Sequence, residues 1–193
     1  MVLGATIACW GTVVVVWIAF GIRGAPDRHG ERIRGATELR TVVAAIVAVA
    51  AIIVVGDWAM ATFTLGGPVL RVAGCIVLVA STAFAVWARV TLGGSWSVGP
   101  RAATDLGLRT DGPYAITRHP IYTGLLGMLL GTGMMGGLVS ALVLVAAGGV
   151  FAWLKIRAEE RLLLATFPAA YRAYSERVPQ VIPGLNLLTA RRR

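Results

Sequence analysis

Residues 3–22 read LGATIACWGTVVVVWIAFGI and contain no charged side chain. A helix of about 20 apolar residues is long enough to cross the hydrocarbon core of a bilayer, roughly 30 Å. Four further apolar runs follow, at residues 41–55, 69–88, 121–135 and 138–154, with a break at Gly136-Gly137 between the last two. The pattern predicts an all-α integral membrane protein with about five transmembrane helices.

The composition of the whole chain supports this prediction. Of its 193 residues, 57% are hydrophobic and 14% are charged, whereas about 25% of the residues in a soluble domain are charged. This balance excludes an ordinary water-soluble domain, and the length fits a single domain. The two cysteines lie in separate apolar runs and have the spacing of neither a metal site nor a disulfide framework.

The basic residues indicate the orientation in the membrane. Seventeen of the 18 Lys and Arg residues fall on one side of a five-span arrangement, and Arg71 is the exception. Because basic loops stay inside, the amino terminus is expected outside and the carboxyl terminus in the cytoplasm. We therefore attribute the net charge of +9 to topology in the cell membrane, and expect no nucleic acid partner. A single domain, residues 1–193, is expected to contain a three-helix part at residues 1–88 and a second half at residues 89–193.

Polar residues are concentrated in two predicted cytoplasmic stretches. The first, residues 92–122, ends in RHP (residues 118–120) directly before the fourth apolar run. Proline is favoured in the first turn of a helix, and a helix start that carries Arg and His is suited to bind an anion. In the second, residues 155–183, Lys155 and Glu159 share a helix face. Taken separately, these residues are also typical of an interfacial anchor, a solvated helix face or an aromatic belt.

Three motifs in these stretches follow one another in a specific order. GPY (residues 112–114) precedes RHPIYTG (residues 118–124), and Glu159-Glu160 is followed by spaced Phe and Tyr residues and a late Pro183. This series resembles the isoprenylcysteine carboxyl methyltransferase family over about residues 92–185. The resemblance implies an integral-membrane methyltransferase that binds S-adenosylmethionine at a cytoplasmic loop, releases S-adenosylhomocysteine, and ends in a helical C-terminal segment.

The resemblance also implies a set of cofactor-binding residues. The matching positions are Leu106, Gly107, Leu108, Arg109, Tyr114, His119, Pro120, Ile121, Tyr122 and Glu159. Arg118 is expected to bind the cofactor carboxylate together with His119, and Glu159 to bind a ribose hydroxyl or the amino group. Tyr114 and Tyr122 are suited to contact the adenine or the sulfonium. Methyl displacement depends on alignment and exclusion of water, so we expect neither a metal nor a catalytic triad.

The acceptor is expected at the start of the second polar stretch. The acceptor-side catalytic residues are expected to be Lys155 and Arg157. In the family that the chain resembles, eukaryotic members have Arg at the position of Lys155, and members related to them tend to have His at the position of Leu106. The expected acceptor is a small lipophilic molecule, such as an isoprenylcysteine-like one, that enters from the bilayer and is methylated on a carboxylate or a thiol. The alternatives are a phospholipid N-methyltransferase, an NADPH-dependent sterol-reductase-like enzyme, and a scaffold or transporter. Membrane lipids are expected partners, and the oligomeric state is left open.

Overall fold

The computed structural model describes residues 2–23, 67–93 and 108–183, and all the regular elements in these ranges are helical. The helices are α1 (Val2–Arg23), α2 (Pro68–Leu92), a 3-10 turn (Gly112–Ala115), α3 (Pro120–Gly136), α4 (Leu138–Thr166) and α5 (Pro168–Arg177). The second predicted run, at residues 41–55, lies outside the described residues. So do the predicted cofactor contacts Leu106 and Gly107.

Among the described residues, three helices are long and apolar enough to cross a membrane: α1, α2 and α4. This finding agrees with the prediction of an all-α membrane protein. Helix α3 has 17 residues and rises about 26 Å, less than the thickness of the hydrocarbon core. Helix α4 has 29 residues and rises about 44 Å, so one end of it extends beyond the core. The count of five spans stays a prediction.

Prolines begin three of the helices, and one glycine separates α3 from α4. Pro68, Pro120 and Pro168 each lie in the first turn of a helix, where the missing N–H leaves no hydrogen bond unmade. Helices α3 and α4 are separated by Gly137, which has a φ of 125°, a conformation that favours glycine. The predicted break at Gly136-Gly137 is therefore confirmed.

Small residues allow α2 and α3 to approach closely. A Cβ atom built on Gly131 would lie 2.5 Å from the backbone nitrogen of Leu78, and one on Gly124 would lie 2.7 Å from the Cβ of Ala85. Helix α1 joins this pair through a shared apolar core, and the indole nitrogen of Trp10 donates a hydrogen bond of 3.2 Å to Thr132. This packing holds the start of α3 beside the membrane helices.

Candidate active site

The two predicted polar stretches meet where α3 begins and α4 nears its end. Arg118 and His119 immediately precede α3, and Glu159 and Glu160 lie on α4. His119 is 5% exposed, and the side chains of Arg118 and Glu160 are 15% and 18% exposed. Glu159 is different, because 47% of its side chain is exposed. The expected association of these residues is therefore present, with Glu159 on its open side.

Glu160 is the most extensively bonded residue of this cluster. Its Oε1 lies 2.7 Å from Nη1 of Arg118 and accepts a 2.9 Å hydrogen bond from the hydroxyl of Tyr171. Its Oε2 accepts a 3.0 Å hydrogen bond from the side-chain amide of Gln180. The donors come from the start of α3, from α5 and from the segment after α5, so this one carboxylate joins three parts of the chain.

His119 lies between the two carboxylates of α4. Its Nδ1 is 3.6 Å from Oε2 of Glu159, and its Nε2 is 3.3 Å from Oε1 of Glu160. Burial alone would lower the pKa of His119, but hydrogen bonds and charge interactions with Glu159 and Glu160 outweigh it and raise the pKa above its ordinary value. A carboxylate beside each ring nitrogen stabilises the doubly protonated, cationic ring. The geometry therefore favours the imidazolium form.

The open side of the cluster consists of Glu159 and Tyr122. The hydroxyl of Tyr122 donates a 2.5 Å hydrogen bond to Oε1 of Glu159, and its ring centroid lies 6.1 Å from that of His119. Both residues were predicted to contact the cofactor. The partly exposed carboxylate of Glu159 and the phenol oxygen of Tyr122 therefore lie next to the buried, positively charged ring of His119.

Tyr114 belongs to the 3-10 turn that precedes the cluster. It is buried, and its carbonyl accepts a 2.6 Å hydrogen bond from the hydroxyl of Tyr174. Burial, followed by the charge of Glu159, raises the pKa of the Tyr114 phenol. Burial also raises the pKa of Tyr174 to about 12. Both phenols are therefore neutral at physiological pH.

The predicted acceptor residues lie on different faces of α4. Lys155 is partly buried, with Nζ 6.0 Å from the ring centroid of Phe151, and it is one turn before Glu159 on the same face. The guanidinium of the exposed Arg157 lies 4.0 Å from the ring centroid of Trp153. Two residues along a helix correspond to about 200° of rotation. Arg157 is therefore directed away from the face that carries Lys155.

The remaining predicted residues lie around the same helix start. Pro120 is buried in the first turn of α3, where Ile121 packs against the apolar core. Leu108 is partly exposed, and the exposed Arg109 lies 3.6 Å from Asp111. Neither Leu108 nor Arg109 has a described contact with the carboxylates of α4.

The sequence analysis missed the contribution of the residues after α5. The backbone nitrogen of Arg118 donates to the carbonyl of Pro179 at 2.8 Å, and that of His119 donates to the carbonyl of Gln180 at 3.1 Å. Thr117, which is completely buried, also bonds to Gln180. No local pattern in VPQVIP (residues 178–183) signals these contacts, because they join residues about 60 positions apart.

Comparison with known proteins identifies the family. A family model described as phospholipid methyltransferase matches residues 69–170, more than half of the chain. Over 99 residues the chain is 38% identical to a protein-S-isoprenylcysteine O-methyltransferase of Schizosaccharomyces pombe, a match covering 50% of this chain and 42% of that protein. Over 81 residues it is 38% identical to the cobalt-zinc-cadmium resistance protein CzcN of Cupriavidus metallidurans, covering 42% and 37% respectively.

A solved structure supports the same relationship. The eukaryotic intramembrane Ras methyltransferase, isoprenylcysteine carboxyl methyltransferase, superimposes with a TM-score of 0.59 and 25% sequence identity. The match covers 70% of this chain and 52% of that structure, so the chain spans about half the length, or less, of the proteins it matches. The family model includes Arg118, His119, Glu159 and Glu160. The chain belongs to the phospholipid methyltransferase family, and it is similar in sequence and fold to isoprenylcysteine carboxyl methyltransferases.

Proposed function

We propose that the protein transfers a methyl group from S-adenosylmethionine to a small lipophilic acceptor at the cytoplasmic face of the cell membrane. The observation that carries this proposal is the cluster of Arg118, His119, Glu159 and Glu160. It lies at the ends of apolar helices, within the range that matches a methyltransferase family. The acceptor atom is a carboxylate oxygen or a thiol sulfur.

The residues of the cluster fit the amino acid end of the cofactor. Among the described atoms, Nε of Arg118 is buried without a hydrogen-bond partner, and it is a donor that a carboxylate can use. Glu159, which is half exposed, is an acceptor that an ammonium group or a hydroxyl can use. We propose that Arg118, His119, Tyr122 and Glu159 hold the cofactor. When bound, it supplies a methyl group on a sulfonium centre.

The chain itself contributes orientation rather than proton transfer. Burial and the hydrogen bond to Glu160 raise the pKa of Tyr171, so its hydroxyl stays protonated and donates to that carboxylate. Glu160 in turn holds Arg118 and His119 in place. A fixed ligand site reduces the cost of reaching the in-line geometry that methyl displacement requires. The apolar helices next to the site provide the exclusion of water.

We propose Lys155 as the residue that binds the acceptor. It lies one turn before Glu159 on the same face of α4, whereas Arg157 packs against the exposed Trp153. A lysine ammonium attracts an anionic acceptor, which favours a carboxylate or a thiolate. The acceptor would enter from the bilayer and the cofactor from the cytoplasm.

The second candidate function is methylation of a phospholipid amine. The description of the matching family, phospholipid methyltransferase, favours it, whereas the positive charge of Lys155 opposes binding of a cationic amine. Assays with radiolabelled S-adenosylmethionine distinguish the two functions. Label should enter an S-prenylated cysteine or a small lipophilic thiol under the first, and phosphatidylethanolamine under the second.

Binding of S-adenosylhomocysteine to detergent-purified protein, measured by calorimetry, tests the proposed cofactor. We expect binding by the wild type and by Ser175→Ala, whose hydroxyl, among the described residues, donates to the carbonyl of Arg172 within α5. We expect no binding by His119→Ala or Glu159→Ala. If folded wild-type protein binds no S-adenosylhomocysteine and is instead stabilised by NADPH, the reductase alternative replaces the proposal.

A further inference from the structure

The segment formed by residues 178–183, which we term the closing segment, lies against the start of α3. Its carbonyl groups accept hydrogen bonds from the backbone of Arg118 and His119. The hydroxyl of Thr123 donates a 2.7 Å hydrogen bond to the carbonyl of Val181. Buried backbone N–H groups require partners, and here a distant part of the chain provides them.

Gln180 is the residue of this segment that contacts the cluster in two ways. Its carbonyl accepts from the backbone nitrogen of His119 at 3.1 Å. Its side chain lies 3.0 Å from Oε2 of Glu160. An ionised carboxylate only accepts hydrogen bonds, so the amide nitrogen of Gln180 faces Glu160 and donates. Gln180 thus contacts both the backbone of His119 and the carboxylate next to the ring of His119.

The side-chain contact restrains the Glu160 carboxylate in a specific way. Oε1 contacts Arg118, His119 and Tyr171, and Oε2 contacts Gln180. A carboxylate held at both oxygens cannot turn about its last carbon–carbon bond without losing hydrogen bonds. If the amide is removed, Oε2 loses this donor, and the carboxylate is held at Oε1 alone, so it can pivot about that oxygen and change its angle to Arg118 and His119.

We propose that Gln180 is a positioning residue of the cofactor site. Its side-chain amide fixes the Glu160 carboxylate, and Glu160 then holds Arg118 and His119 in the arrangement that binds the ligand. This inference rests on the proposed function, because it assigns Gln180 to the same site. Gln180 acts through Glu160 and does not itself touch the reacting atoms.

The closing segment is held by backbone contacts, so the side-chain amide of Gln180 can be removed without detaching the segment. In Gln180→Ala the carbonyl contacts of the closing segment are retained, and α5 remains attached through the hydrogen bond between Tyr174 and the carbonyl of Tyr114. The substitution should therefore lower the melting temperature only by the loss of one hydrogen bond, because the backbone contacts of the segment remain. A hydrogen bond to a charged group is sufficient to change affinity about tenfold when it orients a binding site.

The test is calorimetry with S-adenosylhomocysteine on the full-length protein in detergent, with melting temperatures measured in parallel. We expect Gln180→Ala to raise the Kd about tenfold, and Gln180→Glu to raise it further because two carboxylates then face each other. The double variant Glu160→Gln with Gln180→Glu restores an amide–carboxylate pair, so its Kd should be lower than that of Gln180→Glu. Ser175→Ala, on the preceding helix, is the control and should bind like the wild type.

A spectroscopic measurement adds a readout that a general loss of stability would not produce. The chain contains two histidines, so the imidazole resonances of His119 are assigned by comparison with His29→Gln. We expect these resonances to shift in Gln180→Ala and to stay unchanged in Ser175→Ala.

The outcomes separate this inference from the proposed function. Wild-type binding with an equal Kd for Gln180→Ala overturns the positioning role alone. The positioning role is also overturned if Gln180→Ala loses binding together with a large fall in melting temperature and the double variant does not restore binding. Absence of binding by folded wild-type protein overturns both proposals.

Discussion

Glu159 and Glu160 are neighbours in sequence, and we expect the replacement of Glu160 to cost much more stability than the replacement of Glu159. Glu160→Ala removes the partner of Arg118, together with the acceptor for Tyr171 and Gln180. Breaking a buried ion pair costs about 3–5 kcal/mol. Because 15–18% of these two side chains remains exposed, water screens part of the unpaired charge. We therefore expect a loss near the lower limit, about 3 kcal/mol.

Glu159→Ala removes a carboxylate that is 47% exposed and is bonded to Tyr122 and His119. Exposed pairs contribute about 0–1 kcal/mol, so the variant should keep most of its stability but lose S-adenosylhomocysteine binding. Glu160→Gln is the matched control for Glu160→Ala, because it keeps the acceptor oxygen and removes the charge. It should lose less stability than the alanine variant.

The assay is unfolding in mixed micelles as the denaturing detergent is increased, followed by circular dichroism, with calorimetric binding on the same samples. The reasoning fails if Glu159→Ala and Glu160→Ala lose equal stability. It also fails if Glu159→Ala binds S-adenosylhomocysteine as tightly as the wild type does.

Three further predictions follow from the described contacts. The pKa of His119 is raised in the folded state, so its stabilising contribution should be complete below about pH 6.5 and fall as the pH rises through the raised value. In His119→Gln, the free energy of unfolding measured across this pH range should no longer show that pH dependence. With an S-prenylated cysteine as acceptor, Lys155→Ala should raise the acceptor KM about tenfold and leave the cofactor KM nearly unchanged. Arg157→Ala should alter neither KM. Equal effects of the two variants would contradict the assignment of Lys155 to the acceptor. Gly131→Ala should cost about 1–3 kcal/mol of stability because α2 leaves no room for a Cβ. Gly149→Ala, where nothing lies within 4 Å of the added atom, should be neutral or stabilising, and equal thermal stability of the two variants would contradict this packing.

The parts of the fold that depend on local sequence were predictable. The proline at residue 120 predicts the start of α3, and Gly136-Gly137 predicts the break before α4, because each acts on its own backbone. The end of α4 was harder to predict. The apolar run stops at residue 154, whereas the helix continues to Thr166, because Ala, Glu, Arg and Leu favour a helix inside or outside the membrane.

Only those site residues that belong to a recognisable sequence motif were predictable. The motifs predicted that Arg118 and His119 act with Glu159. They did not predict that Glu160 is the more deeply bonded of the two carboxylates, since both occupy similar positions in the sequence. That difference arises from α5 and the closing segment, which bring Tyr171 and Gln180 to one carboxylate and leave the other open. Contacts of this kind depend on the fold and leave no local periodicity.

The charges of the cluster favour one cofactor class over another. Arg118 and a protonated His119 lie against Glu159 and Glu160, so four neighbouring charges compensate one another. The amino acid end of S-adenosylmethionine is a zwitterion, and its sulfonium adds a positive charge beside two carboxylates. A phosphorylated nicotinamide cofactor would instead bring several negative charges next to Glu159, where the charges of Arg118 and His119 are already balanced by the two carboxylates. Because uncompensated charge in a partly buried site is costly, this arrangement favours methyl transfer over hydride transfer from NADPH.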